Sequence, residues 1–317
     1  MSNAPVLEIR HLSKAFPGKN GEDFYAVRDV SFAIERGDSL GLVGESGCGK
    51  STIARMITKL TEPTEGEILL DGADITHIPQ RRWKAEVFRK VQMVFQDPYG
   101  VFSPRMPIGT FLEEGLVFHG IMGRREARAE ARRLMDLVEL PSDLLDRLPH
   151  QLSGGQQQRV VIARAISIKP SLLILDEATS ALDVSVQEGV LRLLMDLQKE
   201  LHLTYLFIGH DLAVVRSITD RIAVMYAGHL VEALESEDLA NQAAHPYTEK
   251  LLGSVFSLDD KGKKDIELES FSLADASRSA GCPFAHRCGR AVAACGQAIP
   301  PDVRLGPNHV ARCGRLR

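Results

Sequence analysis

Eight residues limit the possible folds of this chain more than any others: Gly44-Glu45-Ser46-Gly47-Cys48-Gly49-Lys50-Ser51. They follow a short apolar stretch, Ser39 to Val43, and precede Ser51 to Leu60, whose spacing is helical. Strand, glycine loop and helix in that order match G-x-x-x-x-G-K-[ST], in which glycines turn backbone N–H groups inward around phosphate oxygens. The helix behind the loop presents the positive end of its dipole to the same anion. In this reading Gly44, Glu45, Ser46, Gly47, Cys48, Gly49 and Thr52 line the phosphates and Lys50 supplies a charge to the outer ones. Ser51 offers its hydroxyl to Mg²⁺. Cys48 reads as a small space-filling side chain.

A second segment completes the chemistry. Leu172 to Glu177, Leu-Leu-Ile-Leu-Asp-Glu, is an apolar strand ending in two acids. Open α/β sheets bind ligands at the carboxyl ends of their strands. Asp176 suits Mg²⁺, through water, and Glu177 is the candidate base that polarises an attacking water. Leu172 to Leu175 and Thr204 to Ile208 carry the unbroken apolar character of strands covered on both faces, which predicts a doubly covered α/β core. Val6 to Arg10 and Asp29 to Glu35 alternate instead, as half-buried strands of an edge sheet do. Gly100 to Leu152 turns helical, with Ala127, Ala131, Leu134 and Val138 on one face of a helix over 124–140. Arg221 to Ala233 reads as a hairpin around Ala227-Gly228-His229, and Glu237 to Phe256 as one helix.

Composition excludes several classes. Hydrophobic residues make up 44% and charged residues 25% of 317, ordinary globular usage, and a net charge of -4 argues against a nucleic-acid partner. No apolar run approaches the roughly 20 residues of a spanning helix. The first ten residues lack the basic and apolar regions of a secretion signal, so a cytosolic location is expected.

Leu152-Ser153-Gly154-Gly155-Gln156, lying 20 residues before Asp176, carries a resemblance to the ATP-binding-cassette (ABC) ATPases. The resemblance covers about residues 6–233, and further family elements occur in order: Gln96 in Gln-Met-Val-Phe-Gln-Asp-Pro, Ser180-Ala181-Leu182-Asp183, and His210. It implies an ABC nucleotide-binding domain with a RecA-like core, an antiparallel β subdomain and a helical subdomain over about 97–165. It also implies that Gln96 touches Mg²⁺ and faces membrane subunits, that His210 is the switch histidine, and that Phe16, or alternatively Tyr25, stacks on adenine. Ser153, Gly154, Gly155 and Gln156, with Asp183, are then expected to act in trans, closing over ATP held by an opposite subunit.

The chain divides by composition into an ATPase domain over 1–256, a polar linker over 257–280 and a module over 281–317 with four of the five cysteines, six arginines and one aspartate. Units below about 40 residues usually need a cross-link or metal, and cytosolic disulfides are disfavoured. Cys282, Cys288, Cys295 and Cys313 are therefore candidate ligands of a [4Fe-4S] cluster, with zinc, His286 or His309 as substitute ligands, and unligated thiols as alternatives. Gly-Cys-Pro-Phe-Ala-His-Arg-Cys, with His245-Pro246-Tyr247-Thr248, resembles the C-terminal extension of oligopeptide and dipeptide importer ATPases, in particular their second-type subunit. Val101 to Met106 departs from that family's usual run after Gln-Asp-Pro-Tyr-Gly. The implied partners are a second, related cassette, two transmembrane permease subunits and an extracytoplasmic substrate-binding protein, with the chain peripheral on the cytoplasmic face of the membrane. Peptides are the expected cargo; glutathione, nickel complexes and opine-like solutes are alternatives.

Overall fold

The computed structural model describes residues 4–18, 23–256, 276–277 and 279–316. The expected linker over 257–280 therefore lies almost wholly outside the described residues. In chain order the elements are β1 (Leu7–Phe16), β2 (Phe24–Ile34), β3 (Ser39–Val43), α1 (Lys50–Ile57), β4 (Glu65–Leu70), β5 (Ala73–Asp74), β6 (Val91–Val94), α2 (Ile108–Phe118), α3 (Arg124–Leu137) and α4 (Gly154–Ile166). They continue through β7 (Leu172–Asp176), α5 (Val184–Leu201), β8 (Thr204–Gly209), α6 (Leu212–Ile218), β9 (Arg221–Tyr226), β10 (His229–Glu235), α7 (Pro246–Phe256), β11 (Val303–Arg304) and β12 (Val310–Ala311). Two compact units result, one drawn from Met1–Ile78 with Leu206–Arg317, the other from Pro79–Tyr205.

The first unit holds an antiparallel sheet in the order β2-β1-β4-β5. Leu7 pairs with Ile34 on one side and Leu70 on the other, and all three are buried. His11 and Asp29 both take positive φ, 49° and 51°, where the β1–β2 register shifts, and His11 Nδ1 lies 2.8 Å from Asp29 Oδ1. This irregularity changes the phase of apolar alternation. For that reason the sequence pattern shows β2 only from Asp29, although the strand starts at Phe24. A second run of strands in the order β11-β12-β10-β9-β3-β8 carries the nucleotide loop. All five residues of β3 are buried, and β3 runs parallel to β9 with Leu40 opposite Arg221. Gly41 admits no side chain because a Cβ there would strike Val215 of α6, so that helix lies directly on the strand.

The expected helix over 237–256 is broken. A short turn at Leu239–Gln242 ends before Ala243, and α7 restarts at Pro246. Proline cannot supply an interior helix N–H but suits the first helical position. The backbone donors just before it find a different acceptor: Ala244 and His245 donate to Glu232 Oε1 and Oε2 at 2.7 and 3.1 Å.

In the second unit β6 and β7 pair in parallel, Val91 opposite Leu172. The helices α2 and α3 enclose a small core of Leu116 and Ala127 with Ile168. The α3 helix stops at Leu137 rather than Leu140, since Glu139 turns left-handed at φ 56° and the Leu140 N–H returns to Met135 O at 2.9 Å. The apolar stripe read from sequence is intact, with Ala127, Ala131, Leu134 and Val138 all buried. Among the described residues no helix is long and apolar enough to cross a membrane.

Candidate functional site

The loop after β3 has the backbone that only glycine tolerates at two points. Gly44 sits at φ 152° and Gly49 at φ 111°, and a Cβ on either would meet backbone oxygen, of Met225 and of Ala26 respectively. Ser46 and Gly47 at the crest are exposed, Ser51 and Thr52 in the first turn of α1 are half-buried, and Lys50 is 4% exposed. The Lys50 ammonium donates to Gly44 O at 2.7 Å and Glu45 O at 3.0 Å, so it is folded back over the loop's own carbonyls. Cys48 is fully buried behind the loop, its carbonyl accepting the Gly228 N–H at 3.0 Å, and burial pushes its thiol pKa up. That agrees with a packing role.

The loop is also braced from behind. Tyr247 of α7 accepts the Glu45 N–H at 3.0 Å, and Arg287 Nη1 donates to Glu45 Oε1 and Oε2 at 2.9 and 3.0 Å. The sequence showed Tyr247 and Arg287 only inside segments that carry a family resemblance, with Arg287 also one of six arginines in the module.

Phe16, at the end of β1, is 39% exposed with Lys14 Nζ 5.0 Å from its ring centroid, whereas Tyr25 is half-buried under Arg28 at 5.3 Å. His210 follows β8 and is exposed; the next residue, Asp211, caps α6 by accepting from Ala213 N and Val214 N at 2.9 and 3.2 Å.

The remaining candidates lie in the second unit. Asp176 closes β7 and both it and Glu177 are half-buried. Glu177 takes the left-handed conformation, φ 49°, unusual for a residue with a side chain and found where function holds a residue in place. Its carbonyl accepts from Ser180 N at 3.1 Å and Ser180 Oγ at 3.0 Å, and Ser180 Oγ in turn accepts from Gln96 Nε2 at 3.3 Å. Three segments named separately from sequence thus meet around one turn. Asp183 caps α5 by accepting from Val186 N at 3.0 Å and Ser185 Oγ at 2.8 Å, bonds that hold its carboxyl below the usual range.

The tip of α4 begins at Gly154, two residues before the start expected near Gln156. Ser153 and Gln156 form a reciprocal cap, Ser153 Oγ accepting from Gln156 N at 3.4 Å and Gln156 Oε1 from Ser153 N at 2.9 Å. Ser153 and Gly154 are exposed, while Gly155 is buried so closely on Val186 that no Cβ fits. The result is a rigid, solvent-facing helix N-terminus of the kind that attracts phosphate. The Ser51 hydroxyl in the first unit, and the oxygen donors of Gln96 and Asp176 in the second, are each of the hard kind that Mg²⁺ prefers.

The metal expected at Cys282, Cys288, Cys295 and Cys313 finds no support in the arrangement of the described side chains. All four thiols are free, and among the described residues no group of three or more His, Cys, Asp or Glu side chains is arranged to hold a metal ion. Burial, and after it the charges of Cys313, Cys295 and Cys288, raises the pKa of the Cys282 thiol. The module is fastened by other means. Its β12 pairs with β10, His309 Nε2 lies 2.8 Å from the buried Glu232, and Arg290 bridges Glu249 at 2.7 Å. These contacts tie the module to β10 and α7 within the first unit.

A glycine loop with its lysine, an acid-terminated strand and an exposed serine-glycine helix tip define a nucleotide-binding cassette. The ABC transporter family matches residues 27–180, and the C-terminal region of the oligopeptide/dipeptide transporter family matches residues 231–295. The chain is 42% identical over 316 residues to a Brucella ovis protein named for peptide import and ATP binding, covering 99% of each. It is 41% identical to the oligopeptide transport ATP-binding protein AppF of Bacillus subtilis, covering 97% of this chain and 96% of the relative. Among solved structures, the ATP-binding cassette MJ0796, a dimer bound to ADP and Pi, matches at a TM-score of 0.65 and 31% identity over 73% of this chain and 98% of that one. Part of the cbiONQ ABC transporter complex, cbiO1 of Clostridium perfringens, matches at 0.67 and 26% over 80% and 95%. This chain belongs to the ABC transporter ATPases, among the ATP-binding proteins of the oligopeptide/dipeptide transporter family.

Proposed function

We propose that this chain is the ATP-hydrolysing subunit of an importer for peptides. The observation that carries the reading is that one chain holds both a lysine-bearing phosphate loop and a second, exposed phosphate-attracting helix end at Ser153 and Gly154. Two such ends suit a nucleotide shared between two cassettes, and the solved relative MJ0796 is a dimer. Lys50 neutralises the outer phosphates, and Glu177, held in its left-handed turn, orients and polarises the attacking water. Mg²⁺, when bound through Ser51, Asp176 and Gln96, supplies charge neutralisation at the phosphates. The Gln96 bond to Ser180 gives a physical route by which a membrane subunit touching Gln96 alters the turn bearing Glu177. His210 serves as the switch histidine and Asp183 acts in trans, and Phe16 offers the more accessible ring to adenine.

The partners in this proposal are a related cassette, two permease subunits through which the chain sits at the cytoplasmic face, and an extracytoplasmic binding protein. A metal or iron–sulfur cluster in the cysteine module forms no step of it. The test is uptake of a labelled oligopeptide by vesicles carrying the full complex. Lys50→Ala in this chain is expected to abolish ATP binding in its own loop and to cut uptake by at least about tenfold, the loss of a charge on phosphate. Undiminished uptake would overturn the assignment, and competition by glutathione or a nickel chelate stronger than by peptides would move the cargo to that class.

A further inference from the structure

The contact between the cysteine module and the nucleotide loop links parts of the chain 242 positions apart. Arg287 lies on the turn Ala285–Arg287, between Cys282 and Cys288, with its side chain 19% exposed against 31% for Glu45. Its Nη1 reaches both oxygens of Glu45, donates to the Tyr226 hydroxyl at 3.3 Å, and the guanidinium lies 5.8 Å from the Tyr226 ring centroid. Phe284, 2% exposed, packs edge-on against Tyr226 at 5.2 Å and tilted on Tyr247 at 5.3 Å. Tyr247 in turn accepts the Glu45 N–H. Glu45 is therefore held at two points, its backbone by α7 and its carboxylate by the C-terminal module.

A carboxylate in the second position of a phosphate-binding loop is a like charge to its ligand. Unpaired, it would repel the incoming phosphates and be free to turn toward them; paired with an arginine behind the loop, it does neither. We propose that Arg287 is a positioning residue of the nucleotide site: by neutralising and retaining Glu45 it lets the C-terminal module set the affinity for ATP. The proposal rests on the loop being the ATP site, as in the function proposed above. It requires nothing of the thiols beyond the fold that presents the arginine.

The experiment is a double-mutant cycle on the full chain, read by titration with a fluorescent ATP analogue and by the KM and kcat of hydrolysis. Arg287→Met keeps the aliphatic stem against Tyr226 and removes the charge. It is expected to raise the ATP Kd and KM about tenfold, as for loss of one partner of a half-buried pair, with kcat changed by less than about twofold. Arg287→Lys should recover most of the affinity. The Glu45→Gln/Arg287→Met double variant should bind more tightly than Arg287→Met alone, since the charge that Arg287 offsets is gone; non-additivity of this kind marks a direct coupling. Parent-like affinity in Arg287→Met, or a double variant as weak as the single one, would overturn the proposal and leave Arg287 a packing residue. Lys50→Ala in the same titration separates the two readings: if it binds as the parent does, the loop is not the site, whereas weak binding there beside a parent-like Arg287→Met refutes only the role of Arg287.

Discussion

Glu232 offers a quantitative test of how the C-terminal module is attached. Its side chain is wholly buried and has three neighbours: the N–H of Ala244 at 2.7 Å, the N–H of His245 at 3.1 Å and His309 Nε2 at 2.8 Å. Oε1 serves Ala244 and His309, while Oε2 serves His245. In Glu232→Gln the best orientation keeps the amide oxygen at the Oε1 position and turns the NH₂ toward the His245 N–H. One hydrogen bond is lost and two buried donors are left facing each other. A buried donor left without an acceptor costs about 1–3 kcal/mol, and the surviving bonds lose their charge assistance, so a total near 3 kcal/mol is expected. With a urea dependence of about 3 kcal/mol per M for a chain of this size, the unfolding midpoint should fall by about 1 M. The assay is urea unfolding followed by tyrosine fluorescence, with the exposed Glu237→Gln as a control whose midpoint stays within about 0.2 M, as surface changes do. A Glu232→Gln shift no larger than the control's would show that the carboxylate does not hold β12 and the α7 entrance together.

Three further outcomes follow from the site and its surroundings. Glu177→Gln should slow ATP turnover by about 10² or more while nucleotide binding persists, checked by single-turnover hydrolysis beside a binding titration; near-parent turnover would remove Glu177 from its role. Burial lowers the pKa of His229 and of His245 to about 4 in the folded chain, from an ordinary 6.5. The unfolded chain takes up those protons first, so the stability each neutral ring contributes is present above pH 6.5 and lost as pH falls toward 4. That amounts to roughly 3 kcal/mol per histidine by linkage, and a melting temperature that stays flat across that window would contradict it. Gly155→Val would drive a branched side chain into Val186 at the junction of α4 and α5, and is expected to destabilise the chain by about 1–3 kcal/mol in thermal unfolding, whereas Gly154→Ala, whose Cβ would meet only Leu182 at an ordinary 3.7 Å, should change stability by less than about 1 kcal/mol.

Much of the site was legible because its chemistry is local. The loop from Gly44 to Ser51 needs only its own glycines and the strand and helix on either side, and Leu172 to Glu177 needs only an apolar run that ends in acids. Helix caps at Ser153 and Asp183 likewise depend on donors two or three residues away. Boundaries were read less well wherever one residue with positive φ shifted the pattern, at Asp29 in β2 and at Glu139 after α3, because periodicity carries no mark of a local reversal in backbone handedness. The helix start at Pro246 was passed over in reading one helix across 237–256, and the loss of helical bonding before it is made good by Glu232, which lies in another element.

The sequence alone determined the nucleotide loop, the acid-ended strand, the serine-glycine helix tip and hence the class of the protein, since each is a contiguous segment whose conformation follows from its own residues. Tertiary structure decided what stands behind them: that Gln96 and Ser180 meet at the turn of Glu177, that Cys48 is sealed in the core, and that the cysteine module is held by Glu232 and by Arg287 on Glu45. These pairings join residues up to 242 positions apart. The energy of a hydrogen bond or ion pair depends on a few ångströms of separation, which spacing along the chain does not encode and only the packed fold supplies.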